Sequence, residues 1–186
     1  MNGPLGEHDS CPLTQTIGHG LGFLERSQLP HGEFRTWASS DEAMGDGCVF
    51  DSSPFVTSLV LHCLGYADGP QARGMLDRGL DFLQEEMEPP GLWRYWSTRN
   101  ERHWLLPPDL DDTCCISSVL RQNGRPVPAN QAMILANRNE AGLFYTWLMP
   151  GGASLLNPFL LPGARLTWLA RSPSLASARW SMWTAR

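Results

Sequence analysis

A chain of 186 residues with a formal net charge of −5 is long enough to bury one core of ordinary size and too short for two large domains. Its 14 cations are all arginines and form no cluster, which excludes nucleic acid as a partner, because phosphate binding needs a concentrated basic face. No apolar run approaches the ~20 residues that cross a bilayer, and Met-Asn-Gly-Pro-Leu-Gly-Glu-His-Asp at the start lacks the basic, apolar, small-residue order of a signal. The 5 cysteines form no Cys-x-x-Cys pair, which suits a reducing compartment, so the expected location is the cytoplasm.

Residues 13–27 carry Leu13, Ile17, Leu21 and Leu24 at spacings of three and four, the pattern of an amphipathic helix. A turn follows, Gly32-x-Phe34-x-x-Trp37, and then Asp46-Gly47, a turn pair that leaves Cys48 as a packed residue. Ser52 or Ser53 before Pro54 starts a helix over 54–64 that Gly65 ends, since proline fits a first turn and glycine the position after the last. The run 72–87 repeats the helical spacing with Met75, Leu76, Gly79, Leu80 and Leu83. Next come Trp93, Tyr95, Trp96 and Trp104 among Arg94, Arg99, Arg102 and His103, rings expected to pack in core and loops.

Pro107 and Pro108 cannot lie inside a helix, so Asp109-Leu-Asp111-Asp112-Thr113 closes a loop and opens a helix. Asp111 or Asp112 is expected to start that helix and Gly124 to end it, with Cys114 and Cys115 as small buried residues. No segment alternates with strand period for long, and the expected fold class is all-α. His19, His31 and His62 lack spaced partners and are assigned no metal, and no Gly-x-Ser-x-Gly elbow supports hydrolysis.

The chain repeats itself. Phe23-Leu24-x-x-x-Gln28-x-x-x-Gly32-x-Phe34-x-x-Trp37 returns as Phe82-Leu83-x-x-x-Met87-x-x-x-Gly91-x-Trp93-x-x-Trp96, offset by 59 residues throughout. Ile134-Leu135 with Gly142-x-Phe144-x-x-Trp147 is a third copy with a shortened turn, and the same offset of 59 lays the run from Phe55 over the run from Cys114. Each unit therefore has a helix, a glycine-aromatic turn, a longer loop and a second helix, and the indoles serve as scaffold.

Asp109, Asp111 and Asp112 admit two readings. Carboxyls this close cannot all ionise cheaply, and burial adds to that, so one is pushed toward keeping its proton at neutral pH, as an acid catalyst requires. The positive end of the helix opposes this, and the same residues are good helix caps.

A helix ending in Phe-Leu-x-x-x-Gln-x-x-x-Gly-x-aromatic resembles the Gln-Trp repeat of the squalene cyclase and prenyltransferase superfamily, and Arg78-Gly79 stands where that motif often has a basic residue and a small one. The likeness covers roughly 13–150; the first copy has Phe34 for Trp, the second Met87 for Gln, and the third is degenerate. It implies an α/α toroid of helical hairpins, here about half a ring with about five helices, whose apolar edges call for a homodimer or a missing second half-toroid. Asp109-Leu-Asp111-Asp112-Thr113 is similar to the Asp-x-Asp-Asp-Thr of class II terpene cyclases. The resemblance implies protonation-initiated cyclisation of an isoprenoid or other lipid substrate, without a cofactor. Asp111 would be the donor, with Asp109 and Asp112 flanking it, and aromatic rings such as Trp93 and Tyr95 would steady cations.

Two alternatives stand beside that expectation. One is a non-catalytic helical repeat that binds a protein or lipid partner, its aspartates serving as caps. The other is a zinc-dependent prenyltransferase-like site of Asp46, Cys48 and Asp112, from the likeness of Asp46-Gly47-Cys48 to an Asp-x-Cys ligand pair, with the expected histidine missing.

The chain divides into a repeat domain, 1–150, and an atypical basic tail, 151–186, with four arginines and no acid. Projecting the repeat by ~52 residues puts another acid-headed helix near 161–176, where no acid stands and Ser172-Pro173 breaks the run. The tail reads as disordered, truncated or frame-shifted sequence; peripheral contact with a membrane surface is the other reading.

Overall fold

In the computed structural model, which describes residues 12–45 and 47–149, prolines stand at the start of three helices. These are α1 Pro12–Ser27, α2 Pro54–Leu64 and α3 Pro70–Glu85, followed by α4 Leu110–Gln122 and the short α5 Gln131–Ala136. Proline suits a first turn because its φ is already helical and its missing N–H would have had no partner there. α2 has the bounds its sequence announces, Ser53 before it and Gly65 after it.

α2 packs on both α3 and α4, α1 packs on α3, and α3 also touches α4. Phe82, Leu83, Met75, Leu61, Ile116 and Trp93 are fully buried between them, and Trp93 satisfies its indole N–H on the Leu83 carbonyl at 2.7 Å. Gly79 lets α3 come close to α2, since a Cβ there would lie 2.5 Å from Leu61 Cδ2. Phe23, the counterpart of Phe82 in the first unit, is 62 % exposed, on a helix that packs mainly on α3.

The three glycine-aromatic turns share one backbone. Leu29, Glu88 and Asn139 each donate to the carbonyl four residues on, at 2.7, 2.9 and 2.8 Å, and Gly32, Gly91 and Gly142 each donate back to them. The glycines have φ of +100°, +99° and +81°, a region that costs any other residue strain. At Gly32 there is a second demand, because a Cβ would sit 2.0 Å from the Arg78 carbonyl oxygen.

Successive units are clasped by a backbone bond. Ser97, the residue after Trp96, donates to Ser52 O at 3.2 Å, and Leu148, after Trp147, donates to Pro108 O at 2.8 Å. The corresponding Ala38 pairs instead with Val49 in a small antiparallel hairpin, β1 Trp37–Ala38 and β2 Val49–Phe50. The expected helical class stands with that hairpin added, whose two-residue strands are too short to carry an alternating pattern. The molecule is mainly helical, with five helices among the described residues.

The register of α4 also differs from expectation. Phe34 N–H donates to Thr57 Oγ1 at 3.1 Å, and Trp93 N–H, its counterpart, to Thr113 Oγ1 at 3.2 Å. Thr113 therefore takes the place of Thr57, and the helix starts three residues earlier than the offset of 59 would put it. One face then turns Asp112, Thr113, Ile116, Ser117 and Leu120 inward and leaves Cys114 exposed and Cys115 half-buried. The expectation of two buried cysteines is overturned by that rotation.

No helix among the described residues is long and apolar enough to cross a membrane. The tail 151–186 and the projected segment 161–176 lie outside the described residues.

Candidate functional site

Pro108 and Asp109 approach α4 in extended conformation, and the approach is gripped on both sides. Asp109 N–H donates to Trp93 O at 3.0 Å, while Leu110 N–H donates to Thr146 O at 2.8 Å. Asp109 has φ −119° and ψ 147° and is the N-cap, its side chain accepting from Asp112 N–H at 3.1 Å. The cap is thus Asp109, two or three residues before the Asp111 or Asp112 that the sequence singles out.

The three acids meet but fare differently. Asp109 and Asp112 are 8 % and 2 % exposed, whereas Asp111 is exposed. Asp112 Oδ2 is buried without a hydrogen-bond partner. Burial first, then the charges of Asp109 and Asp111, push the Asp112 carboxyl up to about 8. Asp109 is pushed up to about 7, mainly by burial and then by a hydrogen bond with the Asp111 carboxyl, against which the Asp112 N–H pulls down. No ion pair among the described residues reaches any of the three. The helix N-terminus favours the charged form, yet desolvation outweighs it. Two carboxyls that keep their protons near neutral pH therefore stand beside a third that faces outward.

Aromatic rings border this cluster. Tyr95 is half-buried, and its hydroxyl is pushed upward by burial, then by Asp51 and Asp112. Its ring packs against Phe55 of the first turn of α2, centroids 6.4 Å apart, and edge-on to Trp96 at 5.5 Å. Trp96 is held by its N–H to Asp51 Oδ1 at 2.9 Å, and His103 Nδ1 meets Trp96 O at 2.8 Å. Trp93 and Trp96 are structural, as their place in the repeat implies. Trp104 is exposed, with the Arg94 guanidinium 4.9 Å over its ring.

Another buried acid, Glu33, escapes a reading of the sequence. Its carboxylate is fully buried and accepts from Ser52 Oγ at 2.7 and 2.9 Å and from Ser53 N–H at 2.8 Å. His31 Nε2 lies 3.0 Å away. Glu33 thus receives the backbone N–H of Ser53, the N-cap of α2, from outside that helix, whereas Asp109 is itself the cap of α4. The signal is present in the repeat: Leu92 and Leu143 occupy the equivalent place in the other copies, so an acid there is out of pattern.

Of the alternative zinc set, Asp46 lies outside the described residues. Cys48 is half-buried and its thiol bonds within its own turn, to Met44 O at 3.5 Å and Gly45 O at 3.4 Å. Among the described residues no group of three or more His, Cys, Asp or Glu side chains is placed to hold a metal ion. Comparisons with protein-family models, curated proteins and solved structures find no match.

Proposed function

We propose that this chain is a class II terpene cyclase-like protein, built as an arc of an α/α toroid, that starts cyclisation of a linear isoprenoid by protonating it. The observation that carries this reading is Asp112, 2 % exposed with an unpartnered oxygen and pushed up to about 8. Alkenes are weak bases, so their protonation needs a carboxylic acid, not a carboxylate, at working pH. Asp111, exposed and hydrogen-bonded to Asp109, is the group a substrate can reach. In this scheme the proton held by Asp109 is relayed through Asp111 to the alkene, whose π pair takes it, leaving the Asp109 carboxylate and a carbocation. A later loss of a proton from the cyclised cation restores the balance.

The repeated turn and the side-by-side α2 and α4 support a toroidal arc. A carbocation needs a dry site, and Asp111 is open to solvent, so a second copy closing over the arc belongs to the proposal, as does a cytoplasmic protein that draws its substrate from a membrane surface.

The test is a chelator-treated assay of the purified chain with linear isoprenoid hydrocarbons and diphosphates, products resolved by mass spectrometry. Cyclic products should form, and Asp111→Asn should lower their rate by about 100-fold or more. No cyclic product from any of them, or an Asp111→Asn variant as active as the wild type, overturns the reading. A second reading, a binding repeat whose acids only cap a helix, is favoured by the Asp109 to Asp112 cap bond; it expects no products and partner binding unchanged in Asp111→Asn.

A further inference from the structure

The first unit gives α3 a defined set of contacts. Gln28 Nε2 donates to Met75 O at 2.8 Å, and Gln28 Oε1 accepts from Arg78 Nη2 at 2.7 Å. His31 sets its ring edge-on to Phe82, centroids 5.5 Å apart. Gly32 lies so close to the Arg78 carbonyl that no side chain would fit, and Leu61 of α2 fills the notch at Gly79. Met75, Arg78, Gly79 and Phe82 are thus a receiving face, and the turn at Gln28, His31 and Gly32 is what it receives.

Both halves of that contact recur, unused, at opposite ends of the repeat domain. The offset of 59 carries the receiving face to Thr16, His19, Gly20 and Phe23 of α1, all exposed. Among the described residues a Cβ at Gly20 would meet nothing within 4 Å, so a glycine that weakens the middle of a helix fills no close contact there. The third turn, offset by 110 from the first, puts Arg138, Ala141 and Gly142 in the places of Gln28, His31 and Gly32. The equivalence is structural as well, because Gln28 Nε2 donates to Gly32 O at 2.9 Å and Arg138 Nε donates to Gly142 O at 3.2 Å. Arg138 and Ala141 are exposed, and α5 beside them has no buried residue.

We propose that the third turn of one copy packs on α1 of a second copy, head to tail, as the first turn packs on α3 within the chain.

The chemistry of the two faces matches. Arg138 has the N–H groups to reach Thr16 O as Gln28 reaches Met75 O, and a helix carbonyl has a second lone pair to accept it. Where Arg78 donates to Gln28, His19 stands opposite Arg138; a neutral imidazole accepts what the arginine donates, so donor and acceptor change sides and the pair is kept. Ala141 meets Phe23 as apolar against apolar, and Gly142 brings the glycine that a close approach to a helix carbonyl demands. Two α1 helices pairing with each other would leave Arg138 and Ala141 unused. This contact supplies residues for the second copy that the cyclase reading calls for, and deepens that reading; it is measured without substrate, so association and cyclisation can each fail alone.

Sedimentation velocity of the full chain between about 1 and about 100 µM tests it. The wild type should sediment heavier than one chain at the upper end. Phe23→Asp on the receiving face and Ala141→Asp on the third turn should each weaken association by about 30-fold or more and sediment as single chains. An equimolar mixture of these two variants should recover a pair, because each keeps the face that the other has lost. Single chains throughout for the wild type, association unchanged in either variant, or a mixture that stays single overturns the contact. Circular dichroism reports whether the variants fold; Gly20→Leu, in open space, replaces Phe23→Asp if that one does not, with the same outcomes.

Discussion

The backbone N–H of Asp112 donates to Asp109 Oδ1 at 3.1 Å, so one buried acid caps the helix through the amide of the other, while the Asp112 carboxyl keeps an oxygen without a partner. Capping and proton storage are therefore divided among neighbouring residues, and each can be removed separately.

Asp112→Asn isolates the stored proton. The folded chain releases it near pH 8, the unfolded chain near the ordinary 3.8. Between those values the native state holds one proton more than the unfolded state, so stability falls as pH rises, by about 1.4 kcal/mol per unit. The contribution is complete below the unfolded value and lost on passing the folded one. Urea unfolding across this window should show a flatter profile for Asp112→Asn than for the wild type. Asp109 acts in the same direction up to about 7, so some slope should survive; an unchanged slope would contradict the burial of Asp112.

Asp109 has a separate duty. Asp109→Ala should cost about 1 kcal/mol in unfolding free energy, and Asp109→Asn much less, because the amide keeps an acceptor at Oδ1. Equal costs for the two substitutions would mean that the cap bond contributes nothing.

The turn glycines should rank by surroundings. Gly32→Ala combines φ +100° with a Cβ 2.0 Å from the Arg78 carbonyl oxygen and should destabilise by about 3 kcal/mol or more. Gly124→Ala, at φ +70° with open space around it, should lose about 1 kcal/mol. Thermal unfolding of the two variants gives the comparison, and similar melting temperatures would refute it.

Thr57 and Thr113 receive equivalent backbone amides at 3.1 and 3.2 Å, so Thr57→Val and Thr113→Val should each cost about 1–3 kcal/mol by leaving a buried N–H unpaired. Chemical denaturation of both checks the three-residue register shift. A cost at Thr57 with none at Thr113 would show that the two helices are not aligned in this way.

The turns were legible because each rests on a glycine that must adopt positive φ, joined in the first two copies by an aromatic, Phe34 or Trp93, that is buried in the core. α2 was equally legible, since proline and glycine punctuate both ends. α4 was not, because apolar identity slid Phe55 onto Cys114, whereas the fold aligns Thr57 with Thr113 through hydrogen bonds that hydrophobic spacing does not encode. The same three-residue shift decided the site. Starting the helix at Leu110 turns Asp112 inward and Asp111 outward, so which carboxyl is desolvated depended on a boundary, the least legible property of a helix.

The clasp between units points backward along the chain. The approach to α2 is completed by Ser97 and that to α4 by Leu148, so the bond that completes each approach can form only after the turn of the following unit has left the ribosome. Translation order and locking order are thus offset by one unit, and a nascent chain paused short of Leu148 would emerge with its acid cluster assembled on one side only.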